Sequence, residues 1–399
     1  VQIYSWWVSG GEEQALTALL KVYTDEYPAV EVANETGSNA QTAQQQLQQR
    51  LAAGNPPDTF QSNAGQDLIG YVGSSSTDVA AKLQPLDGIA ALEGWQFAPE
   101  VLSAATFGGH LYGVPTDISA NNALFYNVKV FHDNGLTPPT NATSWTDFLA
   151  MCDALKKKGV TPIALGLQGG GWTWELPVWE GIFAGLVGAQ YYTDYFMGKK
   201  SANDPNMVSA LNTAKSLLAY SDQVLGDQGA ANRQWSGACD QVQQGKAAMT
   251  FMGDWARGYF ESNKWVPATD FGEILIPAVH PVFTFSTDVF ALPVGAPDQE
   301  NAVALLKVFG SVEAEQIFNP IKGSIPPRLD ANASNLDILG QTIAKQFHEL
   351  PLAAAGSIIL PTPFANALGA QFAVFATNPD VDTMIKVISQ NYDELSPQR

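Results

Sequence analysis

The residues of this chain best suited to chemistry are tryptophans set beside carboxylates and amides. Ser5-Trp6-Trp7 runs ahead of Glu12 and Glu13, Trp172 and Trp174 stand beside Glu175, Trp179 precedes Glu180, and Asp254 precedes Trp255. An indole offers a flat apolar face, and a carboxylate or amide offers directed hydrogen bonds. Together they suit a ring with an apolar C–H face and a rim of hydroxyls, which is the chemistry of a sugar. Most tryptophans in a chain this size fill a core, so the pairing counts chiefly for those near strand ends and loops.

Other chemistries leave weaker traces. Gly166-Leu167-Gln168-Gly169-Gly170-Gly171 has the glycines of a phosphate loop but neither the Gly-Lys-Ser/Thr ending nor a basic neighbour. No Gly-x-Ser-x-Gly elbow precedes a helix. The four histidines, His110, His132, His280 and His348, are scattered without metal spacing. The two cysteines, Cys152 and Cys239, are far apart. They fit either a disulfide, which would add roughly 4 kcal/mol at most, or two buried thiols. Carboxylate pairs such as Glu12/Glu13 and Asp330/Asp337 could serve a glycosidase, whose mechanism turns on a separation that sequence does not give. The residues therefore leave a sugar-cleaving enzyme and a sugar-binding protein both open.

The elements that must position these residues are legible. Val1 to Trp7 reads as a strand. Gly10-Gly11 breaks it, and a helix with Leu16, Leu19, Leu20 and Tyr23 on one face follows. Pro28 ends that helix, and Val30 to Val32 reads as the next strand. The Gln-rich stretch from Ala40 to Ala53 carries Leu47 and Leu51 at helical spacing, and Thr59 to Ser62 makes a third strand. This alternation predicts a parallel α/β sheet. A second unit follows, with a helix capped by Ser144 and strands at Thr161–Leu165, Met249–Met252, Gly272–Ile276 and Asp288–Leu292.

A length of 399 residues suits two domains. A net charge of −19 argues against nucleic acid and against anionic lipid, since both need clustered Lys and Arg. No apolar run reaches the 18 or so residues of a spanning helix. The chain opens directly on a strand-like segment, as a mature or trimmed product would.

The order of motifs carries more weight than any one of them. Asn55-Pro56-Pro57-Asp58-Thr59-Phe60-Gln61, Gly113-Val114-Pro115-Thr116-Asp117, Leu124 to Asn127, Gly135 to Thr140 with Ser144 to Phe148, Gln244 to Met249, Gly253-Asp254-Trp255, Asp288 to Gly295 and Lys322 to Arg328 follow one another along nearly the whole chain. This series resembles the extracellular carbohydrate-binding proteins (family 1) of ABC importers. Ser5-Trp6-Trp7, Asp58 to Gln61, Trp235, Met252 to Trp255 and Asn319 to Ile325 are most similar to the glucose-binding branch.

That resemblance implies an α/β, two-lobed periplasmic-binding-protein-like fold (type II), with a ligand cleft between lobes joined by crossover hinge segments. Placed on this chain, lobe I takes 1–115 and 266–312, and lobe II takes 116–265 and 313–399. Ligand contacts are expected at strand ends: Glu12, Gln61, Asn63, Asp117, Asp288 and Lys322, with Trp235 as stacking platform and Trp7, Trp172 and Trp255 as further aromatics. The branch pattern has a histidine where this chain has Asn63, and a second near Gly356-Ser357, both where ring hydroxyls would be read. The resemblance further implies a monomer outside the cytoplasm, periplasmic or extracellular, with lipid anchoring before trimming left open. Its partners are a sugar and the importer's permease, without nucleic acid, cofactor, metal or catalysis. A glycoside hydrolase, or a binder of another polar solute such as a polyol or amino sugar, stands as the alternative.

Overall fold

The computed structural model describes residues 1–35, 40–73, 75–166, 175–221, 235–376 and 378–395. Two compact units emerge, one from Val1–Ser119 and Ser286–Gly340, the other from Ala120–Phe285 and Gln341–Arg399.

Unit 1 is built on a five-stranded sheet in the order Ala33–Asn34, Gln2–Tyr4, Thr59–Asn63, Asp288–Ala291, Gly113–Pro115. The first three strands are parallel, as the alternation of strand and helix predicts. The other two are antiparallel additions: Asp288–Ala291 runs against both Thr59–Asn63 and Gly113–Pro115. A strand that arrives from another part of the chain is not bound by the crossover rule that keeps sequential strands parallel. The helix Gly10–Glu26 buries Leu16, Leu19 and Tyr23, and the Gln-rich helix Ala40–Ala52 buries Leu47. Both follow the apolar stripes of their sequences. The strand expected at Val30–Val32 forms slightly later, at Ala33–Asn34, where it pairs with Gln2 and Ile3.

Unit 2 holds a four-stranded sheet in the order Phe271–Leu275, Ala123–Asn127, Ala247–Phe251, Thr161–Ala164. The strand Phe283–Ser286 pairs in parallel with Leu352–Ala354. The helix Trp145–Lys157 starts at Ser144, whose hydroxyl accepts the Asp147 N–H as a cap. The core is aromatic: Trp179 packs on Phe183, Phe196 and Phe372.

The divisions fall later than the sequence places them, at 119/120, 285/286 and 340/341 in place of 115/116, 265/266 and 312/313. Pairing explains both larger shifts. Phe271–Leu275 runs along Ala123–Asn127 over five residue pairs, which commits the stretch after Trp255 to unit 2. The helix Val312–Lys322 packs against Gly10–Glu26, which keeps Lys322 in unit 1. Lys322 and Asp288, expected on different lobes, therefore belong to the same unit.

Cys152 and Cys239 are free and buried. Burial pushes the Cys152 thiol up to about 12 and raises Cys239 as well. Among the described residues no cluster of ligating side chains could hold a metal ion, and no helix is long and apolar enough to cross a membrane.

In unit 2 the Arg257 guanidinium meets the Glu273 carboxylate at 3.0 Å, both side chains being almost wholly enclosed. Removing one partner of such a pair takes away the opposite charge that offsets the burial of the other. Arg257→Ala should therefore lower stability in guanidinium unfolding by about 3–5 kcal/mol. The apolar double replacement Arg257→Met with Glu273→Leu should cost far less. Equal losses in the two variants would assign the effect to packing instead of charge.

Candidate functional site

Unit 1 gathers its polar residues at one end of its sheet, because each follows or opens a strand or ends a helix there. Gln61 lies in Thr59–Asn63, Asp288 opens the antiparallel strand beside it, and Asp117 comes two residues after Gly113–Pro115. Glu12 is in the first turn of Gly10–Glu26 and Lys322 is the last residue of Val312–Lys322. The helix dipoles favour these signs, anionic at an N-terminus and cationic at a C-terminus. Gly323 ends the second helix at φ 88°, a left-handed conformation that glycine adopts without strain.

The centre of the cluster is the Lys322 ammonium. Its Nζ lies 2.6 Å from Asp117 Oδ2 and 3.7 Å from Asp288 Oδ2, and it donates to Ser119 Oγ at 3.3 Å. The Trp7 ring lies beneath it, with the ammonium 5.4 Å from the ring centroid. Asp117 Oδ1 accepts the backbone N–H of Asp288 at 2.8 Å, and Thr287 Oγ1 donates to the Asp117 carbonyl at 2.6 Å. Asp288 Oδ1 accepts Gln61 Nε2 at 3.0 Å. Gln61 Oε1 in turn accepts Ser5 Oγ at 2.6 Å and the Trp6 N–H at 3.2 Å. The loop after the first strand, two neighbouring strands, the segment after a third and a helix end are thus joined through one polar network.

One ammonium lies among these carboxyl groups, and burial, more than their mutual repulsion, raises the proton affinities of Glu12 and Asp288. Burial raises Glu12 to about 7, with Lys322 opposing and Asp117 assisting. Asp288 is raised well above the carboxylate range by burial and then by Asp117, against the pull of Lys322 and of the Gln61 hydrogen bond. The chemistry is that of carboxyl groups fixed in position and held apart from bulk water, of which those with raised proton affinity can donate as well as accept.

Most of the cluster is internal. Gln61, Asp117 and Lys322 are buried, and Asp288 is nearly so, while Glu12 and Asn63 are half-buried. Trp7 is only 1% exposed. Phe318 and Phe290 pack on its ring with centroids 4.9 and 5.8 Å away, so it supports Lys322 and offers no open face for stacking. Asn63 stands directly across from Asp288 in the strand pairing. Ser5, Ser119 and Thr287 were missed as site residues, although Ser5 lies in the Ser-Trp-Trp motif and Thr287 precedes Asp288.

Among the described residues, unit 2 holds two of the remaining candidate tryptophans. Trp235 opens the helix Trp235–Gln243, is half-buried, and meets Tyr259 edge-on with centroids 5.3 Å apart. Tyr259 is itself fixed by donating its hydroxyl to Asp240 Oδ1 at 2.7 Å. Trp255 opens the helix Trp255–Ser262 and is half-buried. A Cβ on Gly253 would lie 2.0 Å from the Trp255 ring, so the glycine is what lets the indole sit there. The expected contact Trp172 and the glycine-rich run after Gly166 lie outside the described residues. The carboxylate pairs weighed for hydrolysis have other work or lie in solvent. Asp330 holds Arg328 at 2.7 Å, Asp337 accepts the N–H groups of Leu339 and Gly340, and Glu13 is exposed.

Comparison with known proteins gives the family of the chain. The family model described as "Bacterial extracellular solute-binding protein" matches residues 9–316. An uncharacterized ABC transporter extracellular-binding protein of Pyrococcus horikoshii is 35% identical over 100% of this chain and 89% of its own length. A probable sugar-binding periplasmic protein of Rhizobium meliloti is 30% identical over 88% of this chain and 81% of its own. The glucose-binding protein of Saccharolobus solfataricus is more distant, 23% identical over 81% of this chain and 59% of its own. Among solved structures, a chitin oligosaccharide binding protein covers 99% of this chain and 98% of its own at 21% identity and a TM-score of 0.84. A bacterial solute receptor with a preference for β-D-galactopyranose covers 99% and 97%, at 21% identity and a TM-score of 0.83. These neighbours share the type II solute-binding fold, and the match over most of the sequence decides the class: the chain belongs to the bacterial extracellular solute-binding proteins and is not an enzyme.

Proposed function

We propose that this protein captures a neutral sugar outside the cytoplasm and delivers it to the permease of an ABC importer. A glucose-like monosaccharide is the favoured ligand, with a small oligosaccharide containing one as the wider class. The observation that carries this reading is the ratio of carboxyl groups to cations around Lys322. Asp117 and Asp288 meet the ammonium directly and Glu12 lies within its field. Burial favours the protonated form of Asp288 and of part of Glu12, so the cluster offers carboxyl oxygens that accept from, and carboxyl protons that donate to, the hydroxyls of a neutral sugar. The names of the sugar-binding relatives support the same class. Glu12, Asn63 and Asp288 are the proposed polar contacts of unit 1, and Gln61, Asp117 and Lys322, which are buried, hold them in place from beneath. Trp235 and Trp255 are the proposed aromatic contacts of unit 2, and Trp7 acts through Lys322.

The reading disfavours anionic sugars, since a phosphate or carboxylate would be desolvated at a site whose one ammonium is already paired with Asp117. D-Glucose or a glucose-containing disaccharide should raise the melting temperature, whereas glucose 6-phosphate and glucuronate should leave it unchanged. Tighter binding of the anionic sugars would overturn the assignment.

Truncating Trp235 removes an aromatic face and leaves Tyr259 anchored to Asp240. Trp235→Ala should stay folded by circular dichroism and lose roughly 1–3 kcal/mol of sugar affinity by calorimetry. Undiminished affinity would return Trp235 to a packing role.

Binding should also depend on pH. Glu12 is held at about 7 in the free protein. Sugar hydroxyls donating to it favour the ionised form and lower its pKa in the complex. Binding then releases a proton, so affinity should fall as pH drops from 8 to 6. Glu12→Gln should weaken that dependence, leaving whatever Asp288 contributes. A wild-type affinity that is flat over this range, or that improves toward pH 6, would mean that Glu12 does not accept from the ligand.

A further inference from the structure

Asn63 is the last residue of Thr59–Asn63. It lies two residues beyond Gln61 and therefore on the same side of the strand. It is also directly across from Asp288 in the pairing. Its side chain therefore leaves the sheet on the face that carries Gln61 and Asp288. Asn63 Nδ2 donates to Asp67 Oδ2 at 3.0 Å. Asp67 comes from the following helix, Gln66–Val72. Both residues are half-buried.

An asparagine amide can present either its oxygen or its nitrogen, and a site that reads hydroxyls must settle which. An ionised carboxylate accepts hydrogen bonds and donates none, so Asp67 can face only the nitrogen of Asn63, leaving Oδ1 as the free end. Burial pushes the Asp67 carboxyl up to about 6, which still leaves it ionised at pH 7.5.

We propose that Asp67 is a positioning residue that fixes the Asn63 amide with its oxygen toward the cluster, so that Asn63 selects a sugar by accepting from one ring hydroxyl. The proposal rests on the sugar-binding reading above. Asp67 does not touch the ligand in this account. It sets the direction of the residue that does, and so sets which epimer satisfies it.

The test is calorimetry at pH 7.5 with D-glucose, D-galactose and D-mannose on the wild type and on Asn63→Ala, Asp67→Ala and the double variant, with circular dichroism melts as the folding control. Asn63→Ala and Asp67→Ala should each weaken the preferred sugar by roughly tenfold and narrow the preference among the three. The double variant should be no weaker than Asn63→Ala alone, because Asp67 acts through Asn63. Asn63→Asp combined with Asp67→Asn restores both the hydrogen bond and an acceptor at position 63, and should recover most of the affinity. Losses that add in the double variant would mean that Asp67 acts independently of Asn63. A lowered melting temperature in Asp67→Ala with unchanged affinity would mean that it only stabilises the turn. Either result overturns the proposal. Asp288→Asn separates the two levels: if it too leaves binding intact, or if the wild type binds neither these three sugars nor a glucose-containing disaccharide, the site assignment itself is wrong.

Discussion

A single buried ammonium organises unit 1. Lys322 reaches Asp117, Asp288 and Ser119 from the end of its helix and lies over the Trp7 ring. Those partners come from the segment after one strand, the start of a second and the loop after a third. Enclosing a cation in this way is costly unless its geometry and hydrogen bonds are complete, and the surrounding structure reads as the means of completing them. The helix Val312–Lys322 packs against Gly10–Glu26. Its Asn319 donates to the Thr116 carbonyl at 3.1 Å, and Ser324 donates to Asn319 Oδ1 at 2.7 Å. Beyond the glycine turn, Ile325 exchanges backbone hydrogen bonds with Ile118. The helix end is tied on both sides to the segment that bears Asp117.

How much of this could be read from the sequence depended on the range of the interaction. The strand and helix that bring Gln61 and Glu12 to the same end of the sheet follow from local periodicity and from Gly10-Gly11. The ordered motifs then pointed to Asp117, Asp288 and Lys322 as polar residues at element ends. What local pattern could not supply was pairing. Asp288–Ala291 is separated from Thr59–Asn63 by more than two hundred residues of chain and joins it antiparallel, so the sheet is mixed where the alternation implied a parallel one. The same limit explains the later chain divisions, which are set by partners such as Phe271–Leu275 on Ala123–Asn127.

Residue type also misleads where burial decides the role. Trp7 has the composition of a sugar platform, but Phe290 and Phe318 enclose it. Asp67 gave no signal at all, because its importance arises from a turn between strand and helix that brings it back onto Asn63. In unit 2 the opposite holds at Gly253-Asp254-Trp255. There the motif is compact, and its glycine explains itself once the indole is seen to occupy the space a side chain would need.

The two cysteines have a practical consequence. They are the only two in the chain. Both are enclosed, and burial holds both thiols protonated far above neutrality. Thiolates, and not thiols, react with maleimides and related dyes. The native protein is therefore chemically silent toward such reagents, and one cysteine introduced on the surface becomes a unique attachment point. A fluorophore could be placed beside the Lys322 cluster without first removing either natural cysteine from the core of unit 2.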